Sequence, residues 1–475
     1  MKSKRFLLPL LVTLCLFAGC SDDGPATDPA DEPIAITESE LKEAFYYTFP
    51  LMIMDATESV ETNAETFVPG IPRAPVNQLI HAVKMADASS KSVVTPNVDT
   101  YYSRLWMDLD EPVVFEFPEV KDRFCNVQVL DAWTNTTSVI TDGGTYVFAK
   151  KGVKVVVPAG ATLVEMPTTM GWCIVRILNK GEGDYENVRK IQDAMKAYPL
   201  SAYGDAGYVA PKGTYDASKD VNPVKACMAM SLDEYFAKAN SLMEKNPPLT
   251  FDTEVTERMK RLGVGPGLKM KQVENGAEMF AHVKVSFKAD AAAVAATYKK
   301  SIGGIWSYFM EPIGDFGKAY DFRAAVALVG LGANTNEVAI YPRADYDSDK
   351  EALNGANSYT LHFSSLPPVK EGGFWSITAY GDDDYLIDNP INRYNVTDRS
   401  GYNLNADGTL DVTLSAADPQ DGSFWLPTGN KGFHLFMRLY QPDLKALDSW
   451  IHTGKAENRT NNIHNEQIAF TDFSY

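Results

Sequence analysis

The first regular pattern along the chain is helical. Leu41, Phe45 and Phe49 recur every four residues, a spacing that places them on one face of a helix. Residues 37–40 read Thr-Glu-Ser-Glu, which is a capping box of the kind that begins helices. We therefore expect a helix from this point, and we expect Pro50 to kink it or end it early because proline lacks the amide donor.

A period of two replaces the helical period between residues 92 and 178. Short runs rich in β-branched and aromatic residues, among them Val153–Val157, alternate there with turn sequences. In the run Phe124–Leu130, Asn126 and Gln128 share one face and apolar side chains share the other. Strands at roughly ten-residue intervals are typical of a β-sandwich, and we expect this polar face to be wet.

Helical spacing returns after residue 181, with a second capping box at Ser231–Glu234. From residue 319 onward the runs are again strand-like, beginning with Ala324–Val329. The last run, Phe433–Tyr440, carries on one face His434, Phe436, Arg438 and Tyr440. These patterns together predict a fold class that is mainly β with α structure.

The boundaries of these patterns divide the chain into three folded parts. We expect a β-sandwich with an N-terminal helix over residues 37–180 and a helical middle segment over residues 181–318. A second sandwich or jelly roll is expected over residues 319–475.

The amino terminus has the features of an export signal. Basic residues precede an apolar run at residues 6–17 that is too short to span a bilayer. Small residues stand directly before Cys20, so we expect a signal peptide at residues 1–19 and lipidation of Cys20. A soluble secretory signal cut nearby is the alternative. Residues 20–36 are acidic and proline-rich and are expected to form a tether. The expected location is the outer membrane, on its periplasmic or its surface face.

The net charge of the chain limits the classes of partner that it is expected to bind. The 475 residues include 44 Lys and Arg and 62 Asp and Glu, for a formal net charge of −18. This charge repels nucleic-acid phosphates and anionic lipid headgroups. We therefore expect no nucleic-acid partner, membrane contact through the lipid anchor only, and a small-molecule ligand. Whether the chain forms a homo-oligomer is left open.

Several well-defined catalytic and cofactor motifs do not occur. The six histidines form no H-x-H or H-E-x-x-H pair, which argues against a zinc site that is local in sequence. There is no G-x-S-x-G elbow of a serine hydrolase. Gly330-Leu331-Gly332 lacks the third glycine of a dinucleotide-binding loop. We expect neither a metal nor a cofactor.

Motifs in both halves of the chain resemble two known domain families. In the first half they are Pro75-Val76-Asn77-Gln78, His81, Thr95–Ser103, Trp106, Asp108, Leu109, Gln128, Asp131, Thr134 and Asn135. In the second half they are Gly330–Asn334, Tyr341, Leu353–Gly355, Tyr359, Leu366–Pro368, Phe374–Ser376, Asn389-Pro390, Arg393-Tyr394, Trp425–Pro427 and Arg438. These motifs resemble DUF1254 followed by DUF1214, over most of residues 40–450.

The resemblance implies an architecture but no activity, because both families are named for lacking an assigned function. It implies an immunoglobulin-like β-sandwich, a small helical segment and a C-terminal jelly-roll-like β-sandwich. The DUF1254-like part corresponds to residues 37–180 and the DUF1214-like part to residues 319–475.

Polar and aromatic side chains within these motifs are the candidates for ligand binding: Asn97, Tyr101, Tyr102, Trp133, Asn135, Trp375, Arg393, Tyr394 and Arg438. Arginine with flat rings and amides is the chemistry that orients a carboxylate, an amide or a sugar hydroxyl. Structural roles are the alternative. Asp99 is able to hold a turn, Trp375 to pack in a core and Arg393 to form a structural ion pair.

Three functions are consistent with the sequence. The first is an exported, lipid-anchored protein that binds a small polar or amphipathic molecule, with a saccharide as one candidate, in a cleft between the sandwiches. The second is a hydrolase-type enzyme in which Asp99 or Asp131 works with His362 or His434. If the strands of both histidines are neighbours, their imidazoles share a face with Arg438. The third is a scaffold or assembly lipoprotein, and whether the chain is an enzyme stays open.

Overall fold

The computed structural model describes residues 32–91, 93–302, 304–450 and 455–458. The expected signal peptide, Cys20 and most of the tether lie outside these residues. Within the described ranges, no helix has the length and apolar character needed to cross a membrane.

The described residues contain eight α-helices. They are α1 (Glu38–Glu61), α2 (Tyr185–Ala194), α3 (Pro223–Ala229), α4 (Leu232–Lys245), α5 (Thr253–Lys260), α6 (Gly276–Thr297), α7 (Tyr320–Val329) and α8 (Leu444–Ser449). Both predicted capping boxes are confirmed, at the start of α1 and of α4. Helix α1 runs through Pro50 for another eleven residues, so the prediction of an early end is wrong. The side chains on both sides of Pro50 are buried, and this tertiary packing maintains the helix.

The strands fall into two groups along the chain. The first group is β1 (Leu79–His81), β2 (Thr100–Asp108), β3 (Val113–Phe117), β4 (Cys125–Asp131), β5 (Thr136–Ile140), β6 (Gly144–Lys150), β7 (Thr162–Met166), β8 (Met170–Leu178) and β9 (Lys196–Pro199). The second group is β10 (Lys299–Ser301), β11 (Ser307–Phe309), β12 (Ala339–Ile340), β13 (Arg343–Ala344), β14 (Tyr359–Phe363), β15 (Val369–Gly381), β16 (Asn395–Thr397), β17 (Leu410–Ser415), β18 (Phe424–Pro427), β19 (Phe433–Pro442) and β20 (Lys455–Asn458).

The first group forms a β-sandwich. Its larger sheet has the strand order β1-β2-β8-β4-β5 and its smaller sheet the order β7-β6-β3-β9. Alternate apolar side chains, such as Val127 and Val175 of the larger sheet and Phe115 of the smaller one, fill the core between them. Because β9 pairs with β3, the sandwich extends beyond the predicted boundary at residue 180 to Pro199.

The second group forms the other sandwich. A seven-stranded sheet built around β15 and β19 packs on a four-stranded sheet of order β18-β17-β14-β20. The core between the sheets contains alternate residues of these strands, including Ile377, Leu361 and Leu435. Mainly β structure with helices, in sandwich-like domains, is therefore the fold class, as predicted.

Two predicted strands have another conformation. Val153–Val157 is an irregular loop with Val156 well exposed, and the strand that pairs with β6 is Thr162–Met166 instead. Ala324–Val329 lies inside α7, which packs on α1. A short apolar run does not distinguish a strand from a buried helix, and its three alanines favour the helix.

The outer face of the larger sheet of the first sandwich is covered at both ends. Trp106, Trp172 and Ile174 belong to the core that this face shares with helices α1, α4, α6 and α7. At the other end, Asn126 and Gln128 are buried against the second domain, where the Gln128 amide donates to the Ala333 carbonyl at 2.8 Å. The expectation that this polar face is wet is therefore wrong, because a second polar surface covers it.

Candidate functional site

A cleft of about 680 Å³ lies between the two domains. The first domain contributes residues 179–185 and the segment before β2, and the second contributes residues 391–400. Its aromatic, amide and guanidinium groups come from Tyr101, Tyr185, Asn392, Arg393, Tyr394 and Asn395. Three of the predicted binding residues are thus brought to one concavity, whose volume is in the range of small-molecule sites.

Arg393 is held at the cleft by neutral groups. The Asn389 side chain accepts from the Arg393 amide and donates to its carbonyl, both at 3.0 Å. The guanidinium donates to the Trp425 carbonyl at 2.7 Å and lies 4.6 Å from the centroid of the Phe424 ring. Among the described residues Arg393 has no carboxylate partner, so the structural ion pair considered as its alternative role is not formed.

The two predicted tyrosines of the cleft lie on opposite walls. The Tyr394 hydroxyl accepts from the Ala88 amide and donates to Asn392 Oδ1, both at 3.3 Å. The Tyr101 ring packs against Tyr185 with centroids 5.3 Å apart, and burial raises the pKa of Tyr101. The Tyr101 phenol is therefore neutral at physiological pH, and both rings present flat apolar surfaces at the cleft.

Asp99 connects the cleft wall to the interface behind it. Its carboxylate accepts from Ser376 Oγ at 2.5 Å and from Asn395 Nδ2 at 2.7 Å, and both donors belong to the second domain. Asn97 Oδ1 fixes the turn that precedes β2 by accepting from the Asp99 and Thr100 amides. Asp99 therefore positions the two domains, and its turn is held by Asn97.

Behind Asp99, the polar ends of two sheets face each other. Asn97 Nδ2 donates to the Tyr102 hydroxyl at 3.1 Å and to the Tyr440 hydroxyl at 2.8 Å. Arg176 is the cross-strand partner of Tyr102, and its guanidinium lies 5.7 Å from the centroid of that ring.

Two residues of the second domain complete this arrangement. Arg176 Nη1 donates to Asn334 Oδ1 at 3.2 Å, and Asn334 Nδ2 donates to the Tyr341 hydroxyl at 2.6 Å. The Tyr341 ring then contacts the Tyr440 ring edge-on, with centroids 6.3 Å apart. The contacts form a closed circuit, which we name the inter-domain ring: Asn97, Tyr102, Arg176, Asn334, Tyr341 and Tyr440.

Arg438 lies next to the inter-domain ring. Its guanidinium donates to Thr378 Oγ1 and to the Thr95 carbonyl, both at 3.0 Å, and to the Tyr380 hydroxyl at 2.7 Å. Tyr380 in turn donates to the Pro96 carbonyl at 2.7 Å. Arg438 is buried, and these bonds attach the segment before β2 to the second domain.

The second predicted group, at the end of β4, is not in the cleft. Asp131 Oδ1 accepts from the Trp133 and Asn135 amides at 2.9 Å each, and burial raises the pKa of Asp131 to about 6. The Trp133 indole donates to the Pro247 carbonyl, and Asn135 Oδ1 accepts from the Phe316 amide. All three predicted residues therefore hold a turn beneath the helices.

The two histidines considered for catalysis belong to different sheets, so their imidazoles do not share one face. His434 lies on the face of β19 that carries Arg438, and His362 does not. His362 Nδ1 lies 2.7 Å from Asp411 Oδ1 on the four-stranded sheet. His434, in the seven-stranded sheet, lies 3.3 Å from Asp384 Oδ1 without hydrogen-bond geometry. Burial, with a smaller effect of the nearby Arg343, lowers the pKa of His434 to about 2.

In the part of the chain that the structure describes, no hydrogen bond or ion pair joins Asp99 or Asp131 to either histidine. Within the same residues, no group of three or more His, Cys, Asp or Glu side chains is arranged to hold a metal ion. Trp375 is in the core of the second sandwich, where its ring packs near Phe363 and Tyr402. Its role in the structure is packing.

Sequence reasoning missed four members of the inter-domain ring: Arg176, Asn334, Tyr341 and Tyr440. A signal for one of them was present. Arg176 is the single charged residue in an apolar strand, at the position that pairs with Asn126 of β4. An arginine on the same sheet face as Asn126 and Gln128 indicates that a polar partner covers this face.

Fold and site together define a two-domain β-sandwich protein with a helical layer and a ligand-sized cleft between its domains. The chain matches the family described as "Protein of unknown function (DUF1254)" over residues 76–199 and the one described as "Protein of unknown function (DUF1214)" over residues 338–444. It belongs to this DUF1254/DUF1214 two-domain family, which confirms the resemblance seen in the motifs.

A solved structure shares this fold. A crystal structure of the VPA0106 protein from Vibrio parahaemolyticus is similar, with a TM-score of 0.65 and 20% identity over 89% of this chain and 99% of that one. A protein from Burkholderia cenocepacia is matched with a TM-score of 0.43 and 13% identity, over 88% of each chain. No curated protein sequence matches the chain.

Proposed function

We propose that the protein binds a small polar or amphipathic molecule in the inter-domain cleft, with saccharides among the candidates. The observation that carries the proposal is the meeting of Tyr101 from one domain with Arg393 and Tyr394 from the other around about 680 Å³. Arg393 offers a cation whose fixed contacts are all neutral, and the rings offer apolar faces.

The composition of the cleft favours binding over hydrolysis. Among the described residues that line it, Glu182 is the one carboxylate and there is no histidine. Acid–base hydrolysis needs two such groups within reach of one substrate. A binding site needs the shape and the orienting polar groups, which the cleft has.

A thermal-shift screen of the full chain tests the proposal. Monosaccharides, disaccharides, amino acids and short amphipathic molecules are added separately, and binders are measured by calorimetry. We expect at least one binder, and we expect Arg393→Ala to weaken it about tenfold or more, which corresponds to the loss of one charged contact of about 1.4 kcal/mol.

The matched control is Arg189→Ala, which removes an exposed arginine of α2 outside the cleft. This variant should bind like the parent chain. Equal affinities for Arg393→Ala and Arg189→Ala would show that the ligand binds elsewhere, and a screen without any binder would count against a binding function. Turnover of a bound compound would favour the hydrolase alternative.

We also propose that the protein is an exported lipoprotein of the outer membrane. Support comes from the amino-terminal sequence alone, in which an apolar run and small residues precede Cys20. Metabolic labelling with a radioactive fatty acid, followed by membrane fractionation, should detect lipid on the parent chain and none on Cys20→Ser. Equal labelling of both chains would contradict the proposal.

A further inference from the structure

The inter-domain ring contains more hydrogen-bond donors than acceptors. The Tyr102 and Tyr440 hydroxyls both accept from Asn97, and the Tyr341 hydroxyl accepts from Asn334. Each phenol also has one proton to donate. Among the described residues, none of these three hydroxyls donates a hydrogen bond with good geometry, although the Thr100 side chain is close enough to interact with the Tyr102 hydroxyl.

The orientation of both amides is fixed, so this excess does not come from an exchanged oxygen and nitrogen. Asn97 Oδ1 accepts from two backbone amides, which leaves only its nitrogen to meet the phenols. Asn334 Oδ1 accepts from Arg176, a residue that only donates, which leaves its nitrogen to meet Tyr341. The three hydroxyl protons are therefore not donated to Asn97 or Asn334.

Two further donors at the ring have no partner. Arg176 is 4% exposed, and its Nε makes no hydrogen bond. Thr100, buried two residues before Tyr102 on the same face of β2, has an unpartnered hydroxyl. The nearby acceptors without a partner are Asn126 Oδ1 and the Thr100 hydroxyl oxygen, which are fewer than the three phenol protons, the guanidinium nitrogen and the Thr100 proton.

The charges show the same imbalance. Arg176 and Arg438 are both buried, and in the described residues neither has a carboxylate within ion-pair distance. Asp99 is the one acid that acts on Arg438, and its oxygens are occupied by Ser376 and Asn395. Two buried cations and one anion leave one positive charge uncompensated, which is costly at low dielectric.

Tyr102 experiences this positive charge. Burial raises the pKa of Tyr102, but the charges of Arg176 and Arg438 oppose it and hold the pKa below its usual value. For Tyr440, burial prevails and its pKa is well above the usual value. The position of the Tyr102 hydroxyl is thus favourable for negative charge.

We propose that the inter-domain ring binds the carboxylate group of a small monoanion. A carboxylate is an acceptor only, with about four lone-pair sites, which matches three phenol protons and Arg176 Nε. Its single negative charge matches the one uncompensated cation, whereas a phosphate of nearly two charges exceeds it. Tyr102, Tyr341 and Asn97 are only half-buried, so the ring is accessible to a small solute. This site is separate from the proposed function of the cleft.

Calorimetry and thermal shifts of the full chain with acetate, formate, phosphate and chloride test the site at matched ionic strength. We expect acetate and formate to raise the melting temperature more than phosphate or chloride. Tyr102→Phe and Tyr341→Phe each remove one hydroxyl and keep the ring, and we expect about tenfold weaker acetate binding for each. Tyr198→Phe, which removes a hydroxyl bound to Glu116 at the edge of the first sandwich, is the matched control and should bind acetate normally.

Four outcomes would overturn the inference or its carboxylate assignment. The first is an effect of acetate no larger than that of chloride. The second is equal acetate binding by Tyr102→Phe and Tyr198→Phe. The third is tyrosinate absorbance at neutral pH that disappears in Tyr102→Phe without any effect of acetate, because Tyr102 itself would then be the anion. Stronger binding of phosphate than of acetate would replace the carboxylate assignment. None of these results bears on Arg393 or the cleft.

Discussion

The two ends of one sheet face are covered in opposite ways. At the helix-facing end, Trp106 and Trp172 stack with centroids 4.5 Å apart and 8° between planes, beneath the helices. At the domain-facing end, the Tyr102 hydroxyl accepts from Asn97, and Arg176 donates to the Asn334 amide oxygen and the Gly332 carbonyl of the second domain. The same sheet thus makes one apolar contact layer and one polar contact layer.

The arginines of the two ends show the difference most directly. Arg323, at the helix-facing end, lies 5.2–5.3 Å from the ring centroids of Tyr47, Trp133 and Tyr320. Arg176 lies near one ring, that of Tyr102, and donates to two side-chain oxygens. Apolar burial contributes about 1.5–3 kcal/mol per large side chain, whereas a hydrogen bond contributes about 1 kcal/mol net. We infer that the helix-facing end supplies most of the stability and the domain-facing end mainly fixes orientation.

The largest expected effect is at the helix-facing end. Trp172→Ala removes half of the stacked pair and leaves a cavity, so we expect the free energy of unfolding to fall by about 3–5 kcal/mol. Urea unfolding followed by circular dichroism measures the change. Tyr203→Ala, at an exposed ring, should change it by no more than about 0.5 kcal/mol. Similar losses in the free energy of unfolding for the two variants would contradict the inference that the helix-facing end supplies most of the stability.

A smaller effect is expected at the domain-facing end. Asp99→Ala leaves Ser376 and Asn395 without their acceptor and removes the acid that acts on Arg438, for an expected loss of about 2–3 kcal/mol. Asp99→Asn keeps one acceptor oxygen and should lose less, in the same urea experiment. A loss for Asp99→Ala that exceeds that of Trp172→Ala would reverse the ranking of the two ends.

The third effect is a pH dependence of stability at His434, in the seven-stranded sheet of the second domain. The folded chain keeps His434 neutral down to about pH 2, while the unfolded chain binds a proton there below about 6.5. Stability contributed by this group is therefore lost as the pH falls from 6.5 toward 4, by about 1.4 kcal/mol per unit.

His434→Phe removes the titrating group and retains a ring that is able to stack on Tyr380. Its free energy of unfolding should fall less steeply between pH 6.5 and 4 than that of the parent chain, when both are measured by urea unfolding. Identical slopes for the two chains would show that the proton uptake belongs to other groups.

Local signals predicted much of the fold. The capping boxes before α1 and α4 depend on four consecutive residues, so they are readable without the rest of the chain. The alternation of β4 and β19 predicted the two faces of each strand correctly. The run Ala324–Val329 was not decided locally, because its helical state is stabilised by packing against α1.

The site was predicted in part for the same reason. Tyr101, Arg393 and Tyr394 were recognised from their chemistry, and the fold brings them together. Trp375 and Trp133 have the same chemistry but are buried by contacts distant in sequence. The inter-domain ring depends on pairs such as Asn97 with Tyr440, 343 residues apart, which no local pattern specifies.

The polar contact layer also affects the risk of aggregation during synthesis of the chain. When the first sandwich has been synthesised, the helices that follow must cover Trp106 and Trp172 soon, because exposed indoles attract other unfinished chains. Tyr102, Arg176 and Gln128 form no such aggregation-prone surface, because water hydrogen-bonds to them until residues 332–334 and Tyr440 have been synthesised. The order of elements along the chain therefore covers the aggregation-prone end first and leaves the hydrated end for last.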